Sequence, residues 1–314
     1  MKNKNYLRIV FMGTSSFSRD MFKSLIDSDY TIISAYTQPD QKIGRKQTIE
    51  KTPVKILAEE NNIAIFDPHK LDEQAIQNLK VQDPDLIILV AYGKILPKTV
   101  LEIPRLGAIN IHPSLLPKYR GPSPIQNTLL NGDSITGTTI MLMDSGIDTG
   151  DILAQKEIAV DPQDKYPELE KKLSVLSAEL LLETLPRWAD GKITPQKQDN
   201  SRASYCQLIQ KSNGKIDWNR PAESIFNKYR AFFLWPGIFT NWNGRRIKLN
   251  RISPAQDESH SGTPGEVFQI DGTIYVKTEA GSIILEELQI EGKGNLPIKN
   301  FLNGHPDFIG SVLS

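Results

Sequence analysis

Leu86-Ile87-Ile88-Leu89-Val90 is apolar without interruption, the composition of a strand covered on both faces. Strands of that kind occupy the middle of parallel sheets that carry helices on either side. Outward from it, the first 190 residues alternate short apolar runs with amphipathic stretches. Strands are expected at 7–12, 31–36, 63–66 and 107–111, with helices such as 53–61 and 73–81 between them. Two more strands, 136–143 and 152–160, are expected near an edge. A long helix should follow over 166–189, where Leu169, Leu173, Leu176 and Leu180 recur at spacings of four, three and four on one stripe. Pro167 at its start and Gly191 just past its end punctuate it. The class that fits is α/β, with a doubly wound, mostly parallel, Rossmann-like sheet.

The composition then changes. Residues 192–199 are polar and carry Pro195, as a linker does. Beyond them one helix is expected over 221–231, then short strands at 238–242, 246–251, 266–270, 273–277 and 282–288. Short strands at that density suggest a small β-barrel of the oligonucleotide-binding (OB-like) kind. The expected organisation is an α/β domain over 1–190, a linker over 191–204 and an OB-like domain over 205–314.

The totals narrow the function. At 314 residues two domains are the natural expectation. No apolar run approaches the roughly 20 residues needed to cross a bilayer, and the N-terminal stretch, broken by Arg8, reads as a first strand instead of a signal core. A single cysteine, Cys206, forms no intrachain disulfide and suits a reducing cytosol. Four scattered histidines and no paired cysteines speak against a catalytic metal. The net charge is zero, yet two basic clusters stand out. Lys42, Arg45, Lys46, Lys51 and Lys55 form the first; Arg245, Arg246, Lys248 and Arg251 form the second, without an intervening acid. Each is an ordinary solvated face when taken alone, and together they point toward a polyanionic partner.

The chemistry concentrates in Ala108-Ile109-Asn110-Ile111-His112-Pro113-Ser114-Leu115-Leu116-Pro117-Lys118-Tyr119-Arg120-Gly121. Alternate strand residues share a face, so Asn110 and His112 point together while Ile109 and Ile111 point into packing. Pro113 stops regular pairing and leaves His112 at a strand's carboxyl end, where open α/β sheets bind ligands. A satisfied, partly buried histidine is the plainer alternative. Farther on, Asp144-Ser145-Gly146-Ile147-Asp148-Thr149-Gly150-Asp151 sets three acids in a sharp loop. An aspartate there can hold an imidazole in one tautomer; a turn that merely carries carboxylates would look the same. Gly13-Thr14-Ser15-Ser16-Phe17 has too few glycines for a dinucleotide fingerprint, and no GxSxG elbow occurs.

Together the two blocks resemble the formyltransferases that use 10-formyltetrahydrofolate. That family's signature, N-x-H-x-SLLP-x-x-x-G followed by G-x-DTGD, is met by Asn110 to Gly121 and Gly146 to Asp151. Within the family the chain is most similar to the branch that acts on the methionine of initiator methionyl-tRNA, over nearly its whole length. Thr37-Gln38-Pro39-Asp40, Gly44-Arg45 and Thr52-Pro53-Val54-Lys55 match an insertion loop of that branch. Gly214 to Trp218, Arg230 to Phe232 and Trp235 to Gly237 match its C-terminal domain. Ser15-Ser16 and Phe233-Leu234 depart from the common pattern.

The resemblance implies Asn110, His112 and Asp148 as the catalytic trio, with Asn110 and His112 donating to the oxyanion and Asp148 favouring charged His112. It places Ser114, Leu115, Leu116 and Pro117, the loop Tyr92, Gly93, Lys94, Ile95 and Leu96, and Asp144 around the folate. It assigns tRNA contacts to Lys42, Arg45, Lys46, Arg245, Arg246 and Lys248. It further implies a cytoplasmic monomer that uses no metal, with the lack of a presequence favouring a bacterial cytosol. A purine-pathway or nucleotide-sugar formyltransferase, or a formyl-folate hydrolase, would share the trio; the basic insertion and the C-terminal barrel separate them. A non-catalytic RNA-binding protein is the alternative from another class.

Overall fold

A computed structural model describes residues 7–28, 30–43, 48–255 and 261–314. In chain order the elements are β1 (Arg8–Gly13), α1 (Ser16–Asp27), β2 (Thr31–Tyr36), β3 (Gln41–Ile43), β4 (Thr48–Glu50), α2 (Pro53–Glu60) and β5 (Ile65–Phe66). Next come α3 (Glu73–Val81), β6 (Leu86–Val90), α4 (Lys98–Leu101), β7 (Ala108–His112), α5 (Pro124–Leu130), β8 (Ile135–Leu142), β9 (Ile152–Ala159) and α6 (Tyr166–Ala189). The remainder holds α7 (Ala222–Ala231), β10 (Ile238–Trp242), β11 (Arg245–Ala255), β12 (Val267–Ile270), β13 (Thr273–Lys277), β14 (Ser282–Ile290), β15 (Leu296–Pro297) and α8 (Ile298–Gly304). The chain divides into two compact units, Met1–Pro124 with Ile135–Ala159 and Glu170–Cys206, and Ile125–Ser134 with Val160–Leu169 and Gln207–Ser314.

The first unit is built on a seven-stranded sheet in the order β5-β2-β1-β6-β7-β8-β9. β6 lies between β1 and β7, parallel to both, with all five residues buried. That position explains its unbroken apolar run, because neither face meets water. The strands from β5 to β7 are parallel, whereas β8 runs antiparallel to both β7 and β9. β7 continues one residue farther than its expected end, because His112 still pairs with Thr139 of β8. At the β1–α1 turn Ser15 caps the helix in a reciprocal box with Ser18, so the unusual Ser15-Ser16 pair satisfies orphan amides there. The Ser18 hydroxyl also donates to the Val90 carbonyl at 2.6 Å, tying this turn to the end of β6. Residues 191–204, expected as a linker, are bonded into this unit. Gln196 exchanges backbone hydrogen bonds with Ile152, at 2.8 and 2.9 Å.

The second unit carries a six-stranded antiparallel sheet, β10-β11-β14-β13-β12, with β15 on β14. Register shifts near Arg251 bend the long β11–β14 pair. Both edges of the five-strand path are met by the last residues of the sequence. Asn241 of β10 exchanges backbone hydrogen bonds with Ser314, at 2.8 and 3.0 Å. On the opposite edge, Val267 donates to Ser311, Gly310 donates to Val267, and Leu313 donates to Gly265, at 2.7–2.8 Å. Leu313 is buried beneath this closure. Deleting residues 311–314 should therefore lower the stability of this unit, by about 1.5–3 kcal/mol from Leu313 alone. Urea unfolding of full-length and shortened chains checks it; an unchanged midpoint would show that the closure contributes nothing.

Candidate active site

β7 brings Asn110 and His112 to one face, both buried, at 7% and 4% exposure. The loop after β8 starts beside the beginning of β7, where the Met143 amide bonds the Ala108 carbonyl at 2.8 Å. It then turns back over that face and delivers Asp148. The Asp148 carboxylate is a hub. Its Oδ1 accepts from Asn110 Nδ2 at 3.3 Å, its Oδ2 accepts from the Gly121 amide at 2.8 Å, and Oδ2 stands 3.6 Å from His112 Nδ1. The other ring nitrogen, Nε2, lies 2.9 Å from the Tyr119 carbonyl. A carbonyl only accepts, so Nε2 keeps its proton, and a proton placed between the ring and Asp148 sits on Nδ1. At 3.6 Å His112 Nδ1 is too far from the carboxylate for a direct hydrogen bond.

Asp148 has φ of +51°, a left-handed conformation that costs a non-glycine residue about 1–2 kcal/mol. Gly150 permits the same loop to close, since a Cβ built there would lie 1.7 Å from the Leu142 carbonyl oxygen. Asp144 closes the loop's other end, its Oδ1 accepting from the Gly146 amide at 3.0 Å and the Thr149 hydroxyl at 2.7 Å. Ile147, next to Asp148, is 65% exposed.

The turn Ser114 to Pro117 is held by β8 and β9. The Thr139 hydroxyl donates to the Ser114 carbonyl at 2.6 Å and accepts the Leu116 amide at 3.0 Å. Gln155 Nε2 donates to the Leu116 carbonyl at 2.8 Å. These backbone groups are thus engaged by the sheet, with Ser114 and Leu116 buried and Leu115 and Pro117 at intermediate exposure. In the loop Tyr92 to Leu96, the Tyr92 and Leu96 side chains belong to a core cluster against which Met143 also packs. Burial pushes the Tyr92 phenol far above its ordinary value. Its carbonyl accepts from Thr14 and Gln38, both at 3.0 Å. Gly93 adopts a positive φ, Ile95 is 86% exposed, and Lys94 donates to the Pro68 carbonyl while burial lowers its pKa. Cys206 is buried, its thiol pushed up by desolvation, as befits packing and not nucleophilic attack.

Of the expected nucleic-acid contacts, Arg45 and Lys46 lie outside the described residues, and of Lys42 only its strand, β3, is described. In the second unit Arg246 and Lys248 alternate with buried Ile247 and Leu249, so they share the outward face of β11. Arg246 lies 4.1 Å above the Phe239 ring. Arg245, on the opposite parity, is exposed at the strand's start. On the same unit Leu234 and Trp235 are exposed, at 62% and 55%. Four support residues of the first unit were not singled out from sequence: Arg120, Thr139, Gln155 and Gln198. Polar side chains on strands or in a linker carry no periodic signal, and nothing local marks them. Among the described residues no group of three His, Cys, Asp or Glu side chains stands ready to hold a metal ion, and no helix is long and apolar enough to cross a membrane.

The family profile described as "Formyl transferase" matches residues 7–185, and that described as "Formyl transferase, C-terminal domain" matches residues 208–306. Methionyl-tRNA formyltransferase of Caldicellulosiruptor saccharolyticus is 43% identical over 311 residues, spanning 98% of this chain and 99% of its own. Methionyl-tRNA formyltransferase of Geobacter metallireducens is 42% identical over 301 residues, spanning 95% and 96%. Two solved structures share the fold at 19% identity. WlaRD, a sugar 3N-formyl transferase solved with dTDP and 5-N-formyl-THF, has a TM-score of 0.67 over 92% of this chain and 99% of its own. HypX from Aquifex aeolicus, in complex with tetrahydrofolic acid, has a TM-score of 0.64 over 98% of this chain and 48% of its own.

Proposed function

This chain belongs to the formyl transferase family, and we propose from that premise that it moves the formyl group of 10-formyltetrahydrofolate onto the amino group of the methionine carried by initiator methionyl-tRNA. Full-length identity above 40% to methionyl-tRNA formyltransferases carries the reading. In the transfer the amine nitrogen bonds the formyl carbon, the bond from that carbon to the folate nitrogen breaks, and a proton given up by the amine ends on the folate nitrogen. The carbonyl oxygen holds negative charge in between. Asn110 and the Nδ1–H of a protonated His112 are the donors for that oxygen, worth roughly 2.7–4 kcal/mol each by precedent in other enzymes. Asp148 holds the imidazolium and receives the proton from the amine. The loops that bear Ile95 and Ile147 offer exposed apolar surface to the pterin, with Ser114 to Pro117, Tyr92 to Leu96 and Asp144 as their frame. The enzyme works in the cytosol, as a monomer.

The second unit is read as an OB-like, tRNA-binding barrel. Lys42, Arg45 and Lys46 in the insertion, and Arg245, Arg246 and Lys248 on β11, serve phosphate contacts. Arg246→Ala combined with Lys248→Ala should reduce the log–log salt slope of tRNA use by about 2, one per lost phosphate contact. KM for the folate should stay as it is. Initial rates between about 50 and 200 mM salt test this; an unaltered slope would remove these two side chains from the interface. The direct test of the reaction is incubation with 10-formyltetrahydrofolate and aminoacylated initiator tRNA, followed by chromatography of the released amino acid. Appearance of formylmethionine is expected. Its absence under conditions where a known formyltransferase succeeds would end this reading.

A further inference from the structure

We propose that Arg120 and Gln198 form a relay that positions Asp148 for the transfer, a role that rests on the reading of Asp148 given above. Arg120 is the largest fully buried side chain, at 1% exposure. A guanidinium so enclosed ordinarily meets a carboxylate. Here its four side-chain hydrogen bonds all end on neutral oxygens. Nε and Nη2 donate to Gln198 Oε1 at 3.1 and 2.7 Å, Nη2 also donates to Asn200 Oδ1 at 2.8 Å, and Nη1 donates to the Tyr205 hydroxyl at 3.2 Å. Arginine can only donate, so the two bonds fix which end of the Gln198 amide is oxygen. Its nitrogen is thereby aimed the other way, where Nε2 donates to the carbonyls of Asp148 and Gly150, at 2.9 and 2.8 Å.

Those two carbonyls, of Asp148 itself and of Gly150, directly follow the torsion at which Asp148 takes its positive φ. A strained residue stays in place only where its surroundings over-determine it, and Gln198 supplies two of the constraints. The cation behind the amide polarises it and strengthens both donors. The three consecutive residues 119–121 all address the same point. The Tyr119 carbonyl meets His112, the Arg120 side chain meets Gln198, and the Gly121 amide meets the Asp148 carboxylate. They are themselves fixed by the segment after Gln198: the Arg120 amide donates to the Ser204 carbonyl at 2.9 Å and the Cys206 amide donates to the Arg120 carbonyl at 2.8 Å. The Asp148 carboxylate is thus clamped at its backbone and at its side chain by one part-buried network.

Gln198→Glu separates this role from simple support. The new carboxylate still accepts from Arg120, and does so as a charge pair, so the folded chain keeps its network on that side. It cannot donate to the Asp148 and Gly150 carbonyls. Displacement of a reacting group by about an ångström costs on the order of 10²-fold, and kcat for formylation should fall by that factor, with both KM values within about threefold of wild type. Lowering the pH should restore part of the loss, because a protonated carboxyl regains one donor. Asn200→Ala is the comparison: it removes an acceptor from Arg120 without touching the carbonyls, and kcat should stay within about threefold. If Gln198→Glu lowers the unfolding midpoint, the uncharged Gln198→Met, of similar volume, carries the same kcat expectation. Wild-type kcat in the Gln198 variants, or equal losses in Gln198→Glu and Asn200→Ala, would overturn the relay. Wild-type kcat in Asp148→Asn would instead overturn the reading of the site beneath it.

Discussion

Asp148→Asn is expected to lower kcat/KM for formyl transfer by about 10²–10⁴, the range of a lost acid–base group, while leaving the fold and both KM values close to wild type. The two side chains have the same shape, so packing survives. The hydrogen bonds do not. Asp148 accepts from the Gly121 amide on one oxygen and from Asn110 on the other. An asparagine has one oxygen, so whichever way its amide turns, an N–H faces another N–H. The mismatch loosens Asn110, whose second N–H is the proposed oxyanion donor. It also removes the negative charge that stands 3.6 Å from His112 Nδ1. On the roles proposed above, one substitution thereby disturbs an oxyanion donor and removes the proton acceptor. Single-turnover rates with preformed complex, beside circular dichroism and an unfolding curve, measure it. A rate within a few-fold of wild type would show that the convergence of these groups has no bearing on turnover.

Gly121→Ala is expected to damage stability and turnover together. The residue sits at φ +115°, which alanine resists, and a Cβ there would lie 2.3 Å from the Cys206 carbonyl oxygen. That oxygen is main chain, so no flexible side chain can give way. The conformational term alone is about 1–3 kcal/mol, before the clash. Relief requires that the 119–121 segment shift, and the Gly121 amide is the donor that holds Asp148 Oδ2. Turnover should fall by on the order of 10²-fold for an ångström of displacement. Thermal unfolding and kcat, measured on the same preparation, test the coupling. A stable variant with intact kcat would contradict the described close approach.

The sequence and the structure agree where burial is two-sided or periodic. The bounds expected for β2, α3, β6, α6, β10 and β13 match the observed ones to the residue, because a doubly covered strand or a leucine stripe leaves a pattern in the chain. The β3–β4 pair leaves no mark in the sequence pattern. β4 is exposed throughout and buries no face, so no alternation exists to be found. Short helices such as α4 escaped for a related reason, since four residues cannot display a 3.6-residue period. At the site, Asn110 and His112 were legible because their spacing of two puts them on one face of a strand. Arg120 with Gln198 was not, for the contact joins positions 78 apart. The segment holding Gln198 is polar and proline-bearing, the composition of a connector, although the structure uses it as a support.

The C-terminal segment of the second unit has a further consequence. An antiparallel sheet with bare margins invites strands of other molecules to add to it, in the manner of growing fibrils. Here the main-chain groups of Asn241 on one margin, and of Gly265 and Val267 on the other, are occupied from within. Residues 310–314 act as a plug against templated self-association. Their release would cost solubility at high concentration before it altered anything at the Asp148 carboxylate.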